Sequence, residues 1–140
     1  MLVMDATGKK TILVVEDEAA LQEAVKLKLQ KQDIEVLTAD NGEKGIQILK
    51  EHTPDLVWLD ILLPGINGLQ VLEWIRQNPK TADLKVVLVS VSSGPDKIRK
   101  AFSMNILDYI VKSEHPLDDI IKRVKGLMDG SVQSTPGRAH

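Results

Sequence analysis

The sequence predicts an α/β domain: a five-stranded, doubly wound parallel sheet with helices on both faces. Three compact apolar, β-branched segments carry this prediction, at Thr11–Glu16, Leu56–Asp60 and Lys85–Ser90. Continuous apolar runs of this length are typical of parallel strands that are buried on both faces. Segments with helical periodicity alternate with the runs, which is the pattern of α/β proteins with a parallel sheet.

The remaining elements follow from weaker patterns. Two shorter strand segments lie at Glu35–Ala39 and Asp108–Val111. Apolar side chains spaced three or four residues apart predict five amphipathic helices. These side chains are Leu21, Val25 and Leu29, then Ile46 and Leu49, then Leu72 and Ile75, then Ile98, Ala101 and Phe102, and last Leu117, Ile120, Ile121, Val124 and Leu127. Five strand–helix units with right-handed crossovers favour the strand order 2-1-3-4-5.

Capping and breaking residues support the helix boundaries. Asn41 is expected to cap the second helix, in a pattern close to a capping box. Asn78-Pro79 ends the third helix, and Pro116 stands where the first turn of the fifth begins. We expect a short N-terminal lead over residues 1–10, one domain over 11–128, and a flexible tail over 129–140, where periodicity is lost.

Composition narrows the class of protein. The chain has 140 residues, 43% hydrophobic and 27% charged, which suits one soluble domain with one hydrophobic core. Its net charge of −2 favours neither nucleic acid nor an anionic membrane, so we expect no direct nucleic-acid contact. The absence of cysteine excludes disulfides and thiolate metal sites. Short apolar runs and the lack of a signal peptide predict a cytoplasmic protein without membrane insertion.

Polar side chains end four of the predicted strands. The first strand runs into Glu16-Asp17-Glu18, the third ends at Asp60, the fourth at Ser90 and the fifth at Lys112. In open parallel sheets, ligands bind beyond the carboxyl ends of the strands, where the strand order reverses. We therefore expect acids, a hydroxyl and an ammonium to converge on one edge of the sheet.

That set of groups suits phosphoryl chemistry. Neighbouring carboxylates at Glu16, Asp17 and Asp60 would disfavour joint ionisation, and a bound Mg²⁺ would remove the conflict. Lys112 adds a second positive charge, and metal, lysine and hydroxyl together stabilise phosphoryl oxygens. Asp60 is the candidate nucleophile, because carboxylates can form acyl phosphates.

Four segments resemble the receiver domain of two-component response regulators. They are ILVVEDE at Ile12–Glu18, LVWLDILLPGINGL at Leu56–Leu69, VVLVS at Val86–Ser90 and DYIVK at Asp108–Lys112. The resemblance covers roughly Thr11 to Met128 and implies a flavodoxin-like fold. Each segment is weak evidence alone, and their order along the chain makes the set specific.

The resemblance implies a role for each matching residue at the acidic edge. Asp17 would coordinate Mg²⁺ directly, Glu16 directly or through water, and Leu62 through its backbone carbonyl. Asp60 would be the phosphoacceptor, supplied by the phosphohistidine of a sensor histidine kinase or a histidine phosphotransfer protein. The domain would catalyse only its own phosphorylation and dephosphorylation, so we do not expect an enzyme with a separate substrate.

The same resemblance assigns the switch. Ser90 and Lys112 would contact phosphoryl oxygens, and Tyr109 matches the aromatic residue that turns inward as the following loop moves. Two departures from the family pattern stand out. Ser113 replaces the usual proline after the lysine, so Lys112 is expected to lie in a differently shaped loop. Val91 replaces a usually small residue, and we hypothesise that it narrows access to Asp60.

The output surface is expected to be the face formed by the fourth helix, fifth strand and fifth helix. An unknown downstream protein would bind there, near the basic residues Lys97, Arg99, Lys100, Lys122, Arg123 and Lys125. Such a run of charge is also typical of an ordinary solvated face.

Two other classes of function stay open. A pseudo-receiver would bind partners without productive phosphorylation, which Val91 and the missing proline favour. A cofactor-binding or hydrolytic enzyme can use the same fold. However, no glycine-rich phosphate loop follows a strand, and aromatic residues are only 3% of the chain. Each site residue taken alone also has an ordinary structural role as a cap, turn or surface group.

The three histidines, His52, His115 and His140, match no metal-binding spacing and are expected at the surface.

Overall fold

A computed structural model of the protein describes residues 8–92, 94–134 and 137–140. Within these ranges, five parallel strands form one sheet in the order β2-β1-β3-β4-β5, as predicted. The strands are β1 (Thr11–Val15), β2 (Glu35–Ala39), β3 (Leu56–Leu59), β4 (Val86–Ser90) and β5 (Asp108–Val111). The fold is therefore the flavodoxin-like, doubly wound sheet that the alternating pattern indicated.

Five helices connect or follow the strands. They are α1 (Ala19–Lys31), α2 (Gly42–Glu51), α3 (Gly68–Gln77), α4 (Pro95–Ser103) and α5 (Leu117–Asp129). None of the helices in the described ranges is both long and apolar enough to cross a membrane.

Two apolar layers sandwich the sheet. Alternating strand residues face opposite sides, because successive side chains on a strand point in opposite directions. Leu13 and Leu88, for example, pack in the layer that α2, α3 and α4 cover. Ile12 and Trp58 pack in the layer beneath α1 and α5. All strand residues of β3, β4 and β5 are buried, as expected for strands covered on both faces.

Glu16 and Asp60, which we predicted as the last residues of their strands, lie one position beyond them. Their backbone N–H groups still bond to neighbouring strands: Glu16 N donates to Ala39 O at 3.0 Å, and Asp60 N donates to Val15 O at 3.1 Å. The chain turns immediately afterwards, so the ladder ends there. Both carboxylates are consequently held by the sheet while standing at its edge.

Side-chain caps fix the starts of α2 and α3. Asn41 accepts a hydrogen bond from Lys44 N at 2.8 Å, which confirms the predicted cap of α2. The complete capping box lies at α3, where Asn67 and Gln70 each bond to the other's backbone N–H. The third helix ends at Gln77 with Asn78 as its C-cap, as the Asn-Pro pair predicts. Pro116 precedes α5 directly, as its N-cap.

The described part of the segment 129–140 returns to the sheet. Gly130 leaves α5 with φ +84°, a backbone conformation that suits glycine. Further on, His140 N donates to Tyr109 O at 2.9 Å and Val111 N donates to His140 O at 2.6 Å, beside β5. The flexibility expected for residues 129–140 stays a prediction. The last residue of this segment, His140, is hydrogen-bonded to the edge strand β5.

Of the three histidines predicted at the surface, two are only partly exposed. His52 is exposed. The His140 ring instead lies 3.0 Å from Arg123 Nη2, and its Nε2 lies 3.5 Å from Asp108 Oδ1. His115 is half-buried, with a fully buried Nε2. Spacing along the chain carried no sign of these contacts, since they join segments that only the folded sheet brings together.

Candidate functional site at the edge of the sheet

Three carboxylates converge beyond the ends of β1 and β3. One oxygen from each of Glu16, Asp17 and Asp60 lies within 4.8 Å of the others, a grouping able to hold a metal ion. Glu16 is 1% exposed and Asp60 is 3% exposed, whereas Asp17 is exposed to solvent. Two buried acids and one open acid leave a path from water to the cluster.

Lys112 joins the cluster from the end of β5. Its Nζ donates to Glu16 Oε1 at 2.8 Å and to Asp60 Oδ2 at 2.9 Å. The side chain is 15% exposed, so both ion pairs lie largely out of water, where charge interactions are stronger. The lysine thereby neutralises part of the charge that the buried acids bring together.

The ionisation of Glu16 and Lys112 reflects this shared environment. Burial raises the pKa of Glu16, hydrogen bonds from Lys112 and from Glu18 N lower it, and the Asp60 charge raises it; the net shift is upward. For Lys112, burial lowers the pKa, and the bonds to Glu16 and Asp60 more than offset that effect, so the net pKa is raised. Lys112 therefore stays in its charged ammonium form in this site.

Gln22 is a supporting residue that the sequence did not reveal. Its Nε2 donates to Glu16 O at 3.0 Å and to Ala39 O at 3.1 Å. These bonds tie the ends of β1 and β2 to the first helix, so the loop that carries Glu16 and Asp17 is held in place. A glutamine near the start of an amphipathic helix gives no sequence signal for such a contact.

The turn after β3 holds Asp60 against the start of α3. Leu62 N donates to Asp60 Oδ1 at 3.2 Å, and Gly68 N donates to Ile61 O at 2.8 Å. A Cβ at Gly68 would stand 2.1 Å from Asp60 O and 2.7 Å from Ile61 Cα. Only glycine permits this approach. The Asn67-Gly68 pair suggested a turn, and the structure shows a close contact with the backbone of Asp60.

The end of β4 contains the predicted switch residues. Ser90 is fully buried, and its Oγ accepts a hydrogen bond from Ser92 N at 3.3 Å. Tyr109 is also fully buried, and its hydroxyl donates to Ser92 O at 2.6 Å. Burial raises the pKa of Tyr109, so the phenol stays protonated and able to donate. Tyr109 thus already points inward. Ser93, part of the loop expected to move, lies outside the described residues.

The other predicted residues lie at the margin of the cluster. Val91 is 50% exposed and Leu62 is 48% exposed. The Lys112–Ser113 peptide bond is trans, since the described chain contains no cis bond. Residues Lys112–Glu114 form a short 3₁₀ turn, and Lys112 still reaches both acids.

The basic residues of the expected output face do not form one free surface. Arg123 Nε bonds to the fully buried Asp108 at 2.6 Å, and Lys100 pairs with Glu73 at 3.0 Å. Arg99 pairs with Asp96 on its own helix, and Lys125 bonds to Gln32, the C-cap residue of α1. Lys97 and Lys122 are exposed. Arg123 in particular holds the start of β5 against α5, and its charge is turned inward.

The fold and this cluster define a doubly wound α/β protein with an acidic site, able to hold a cation, at the point where the strand order reverses. The family model for the response regulator receiver domain matches residues 12–125. The chain belongs to this family, the receiver domains of two-component systems.

Individual relatives agree with this assignment. The transcriptional regulatory protein ResD of Bacillus subtilis is 31% identical over 133 residues, which is 94% of this chain and 53% of ResD. The response regulator TrrA of Thermotoga maritima, solved with Mg²⁺–BeF, is 37% identical, with a TM-score of 0.72 over 84% of this chain and 98% of TrrA. The phosphorylated cyanobacterial phytochrome response regulator RcpA is 26% identical, with a TM-score of 0.80 over 91% of this chain and 99% of RcpA.

The chain spans about half the length of the curated relatives it matches, which include transcriptional regulators. The similarity therefore concerns the receiver part of those proteins.

Proposed function

We propose that this receiver domain is a phosphoacceptor switch in which Asp60 takes a phosphoryl group from the phosphohistidine of a sensor histidine kinase or a histidine phosphotransfer protein. One observation carries the proposal above the others. Lys112 Nζ lies 2.9 Å from the carboxylate of Asp60, at the acidic edge where Glu16 and Asp17 also converge. Asp60 is a buried acid that lies beside the ammonium of Lys112 and near the exposed carboxylate of Asp17. This setting suits a nucleophile whose phosphorylated product carries two negative charges.

The donor set fits Mg²⁺. Three carboxylate oxygens within 4.8 Å are hard ligands, and such sites suit Mg²⁺ and related ions. Bound there, the ion would neutralise charge on the phosphoryl oxygens. Asp17, Glu16 and Asp60 would hold it, and the exposed Leu62 lies on the adjacent turn from which a backbone carbonyl would complete the set. The Mg²⁺-containing TrrA complex and the Mn²⁺-bound form of Rcp1 support this choice of ion.

Apart from the phosphohistidine donor and the bound Mg²⁺, the transfer step needs only groups that the site contains. An Asp60 oxygen attacks phosphorus, the O–P bond forms, and the P–N bond to the donor histidine breaks; the released imidazole nitrogen takes up a proton from solvent. Lys112 stays charged and donates to a phosphoryl oxygen in place of its present bond to Asp60. Electrostatic stabilisation of this kind is the main contribution a protein makes to phosphoryl transfer.

The switch would start at Ser90. Its hydroxyl now accepts from Ser92 N, and donation to a phosphoryl oxygen would draw the end of β4 and the following loop toward Asp60. Tyr109 is bonded to Ser92 O, so the same movement changes the surface around β5. A downstream protein would bind at the face formed by α4, β5 and α5.

We also propose that the protein is located in the cytoplasm and that this domain makes no direct contact with nucleic acid.

The test is the intact-protein mass after incubation with acetyl phosphate, with and without Mg²⁺. A single phosphoryl adduct is expected for the wild type, dependent on Mg²⁺ and labile to hydroxylamine. Asp60→Asn should give no adduct. Asp83→Asn, which changes an exposed aspartate in the loop before β4, is the matched control and should label like the wild type.

The second candidate is a pseudo-receiver that binds partners without phosphorylation. Val91, 50% exposed beside the site, and the serine after Lys112 are the observations that favour it. Absence of any adduct, under conditions that label a known receiver domain, would replace the first proposal with this one.

A further inference from the structure

A small pocket lies on the α1 and α5 side of the sheet and adjoins the carboxylate cluster through Lys112. Its volume is about 100 Å³. The apolar wall is formed by Leu21, Val89, Leu117 and Ile120, and the polar lining by Trp58, Lys112 and His115. A single water needs about 10–15 Å³ of such space, so the pocket has room for a larger guest.

Two polar atoms of this lining lack a partner. Trp58 Nε1 and His115 Nε2 are both buried, and neither has a hydrogen bond to any group in the described ranges. Trp58 is 1% exposed, and its indole N–H can act only as a donor. Buried polar groups in folded proteins are nearly always hydrogen-bonded, so each exception calls for an explanation. Both exceptions named here belong to residues that line the same pocket.

We propose that the pocket is a binding site for a small neutral molecule with an apolar body and a hydroxyl group. A hydroxyl accepts a hydrogen bond from the Trp58 indole and can also donate to, or accept from, His115 Nε2. The apolar walls suit a body of a few carbon atoms. Neutrality follows from the setting, because Lys112 is already shared between Glu16 and Asp60, and a charged guest would compete with these two ion pairs.

Lys112 makes the pocket relevant to the carboxylate edge. Its side chain lines the pocket, while its Nζ bonds to Glu16 and Asp60. A guest packed against this side chain would restrict its movement between the two carboxylates. The binding site itself does not depend on phosphorylation, so the proposal stands or falls separately from the function proposed above.

The test uses the two tryptophans of the chain. Trp58 lines the pocket, whereas Trp74 lies on α3 and packs against the opposite layer. In ¹⁵N-labelled full-length protein, titration with cyclopentanol should shift the Trp58 indole N–H resonance in a saturable way and leave that of Trp74 unchanged. Leu117→Phe fills the pocket from a half-buried position and should abolish the response, with the Trp74 resonance reporting an intact fold.

Benzene provides the comparison without a hydroxyl. Cyclopentanol should bind at least about tenfold more tightly, because benzene leaves the indole donor without a good acceptor. Three results would overturn the proposal: no saturable shift of Trp58, an equal shift in Leu117→Phe, or benzene binding as tightly as cyclopentanol. A water signal at the Trp58 N–H that cyclopentanol does not displace would identify the pocket as a hydrated void.

Discussion

The ammonium of Lys112 bridges two carboxylates from different strands, with Nζ at 2.8 Å from Glu16 Oε1 and 2.9 Å from Asp60 Oδ2. Lys112 follows β5, Glu16 follows β1 and Asp60 follows β3, so one side chain reaches across the end of β4. The bridge holds the carboxyl edge of the sheet together when the acids carry their charges. It is also the contact that an incoming phosphoryl group would change.

Removing this ammonium should destabilise the metal-free protein. Lys112→Met leaves two buried carboxylates without their shared cation, and loss of one partner of a buried pair costs about 3 kcal/mol. Urea unfolding should show that loss in EDTA and a smaller loss with saturating Mg²⁺. Lys97→Met, at an exposed position, is the control and should change little. Equal losses with and without Mg²⁺ would contradict a shared role for lysine and metal.

The raised pKa of Glu16 predicts a pH dependence of stability in the absence of metal. From its ordinary value of 4.5 up to its raised value, the folded state binds more protons at Glu16 than the unfolded state. The contribution of Glu16 to the free energy of unfolding therefore falls as the pH rises through that window. Wild type should lose stability relative to Glu16→Gln as the pH rises above 4.5 in EDTA. Saturating Mg²⁺ should weaken this trend, and a trend of opposite sign would show that the lysine bond outweighs burial.

Gly68 should tolerate no side chain. Gly68→Ala places a methyl group 2.1 Å from Asp60 O, so the backbone of the β3–α3 turn must shift. Overpacking of this kind lowers the free energy of unfolding by about 1–3 kcal/mol. Because the contact is to Asp60 itself, phosphorylation by acetyl phosphate should slow as well. Gly94→Ala is the control for steric crowding, since a Cβ there meets nothing within 4 Å, and only the smaller loss from alanine at the N-cap of α4 is expected. Wild-type stability and labelling in Gly68→Ala would mean that the β3–α3 turn adapts freely.

The hydroxyl of Tyr109 should contribute measurably to folding. Tyr109→Phe removes its bond to Ser92 O and should lower the free energy of unfolding by about 1 kcal/mol. Tyr109→Ala also empties a fully buried site and should cost about 3–5 kcal/mol. Guanidinium denaturation of both variants measures the two losses in the free energy of unfolding. An unchanged stability in Tyr109→Phe would show that the ring does not rest in its inward position.

Val91 tests the hypothesis of restricted access to Asp60. Its side chain is 50% exposed, so Val91→Ala should leave stability within about 0.5 kcal/mol of wild type. Labelling by acetyl phosphate and loss of the label should both become faster, by severalfold if the branched side chain narrows the approach. Time-resolved intact mass measures both rates. Unchanged rates would contradict the hypothesis that Val91 narrows access to Asp60.

The sequence alone was enough for the sheet and for the acids at its edge. Apolar runs such as Leu56–Leu59 and Val86–Ser90 can be satisfied only by burial on both faces, and alternation with helices leaves few topologies. Since parallel strands end at a common edge, Glu16, Asp17 and Asp60 had to approach one another. The family resemblance then supplied roles that spacing does not contain.

Only the tertiary structure decided which groups pair and how closely. Lys112 and Glu16 are 96 residues apart in the chain, and the reach of a flexible lysine across β4 depends on the positions of three strands. The approach of Gly68 to Asp60, the inward position of Tyr109 and the pairing of Arg123 with Asp108 depend on packing in the same way. Periodicity reports which face of an element is buried, because burial is a local property of the pattern. Contacts between elements depend on distances of a few ångströms, and these are set only when the whole core is packed.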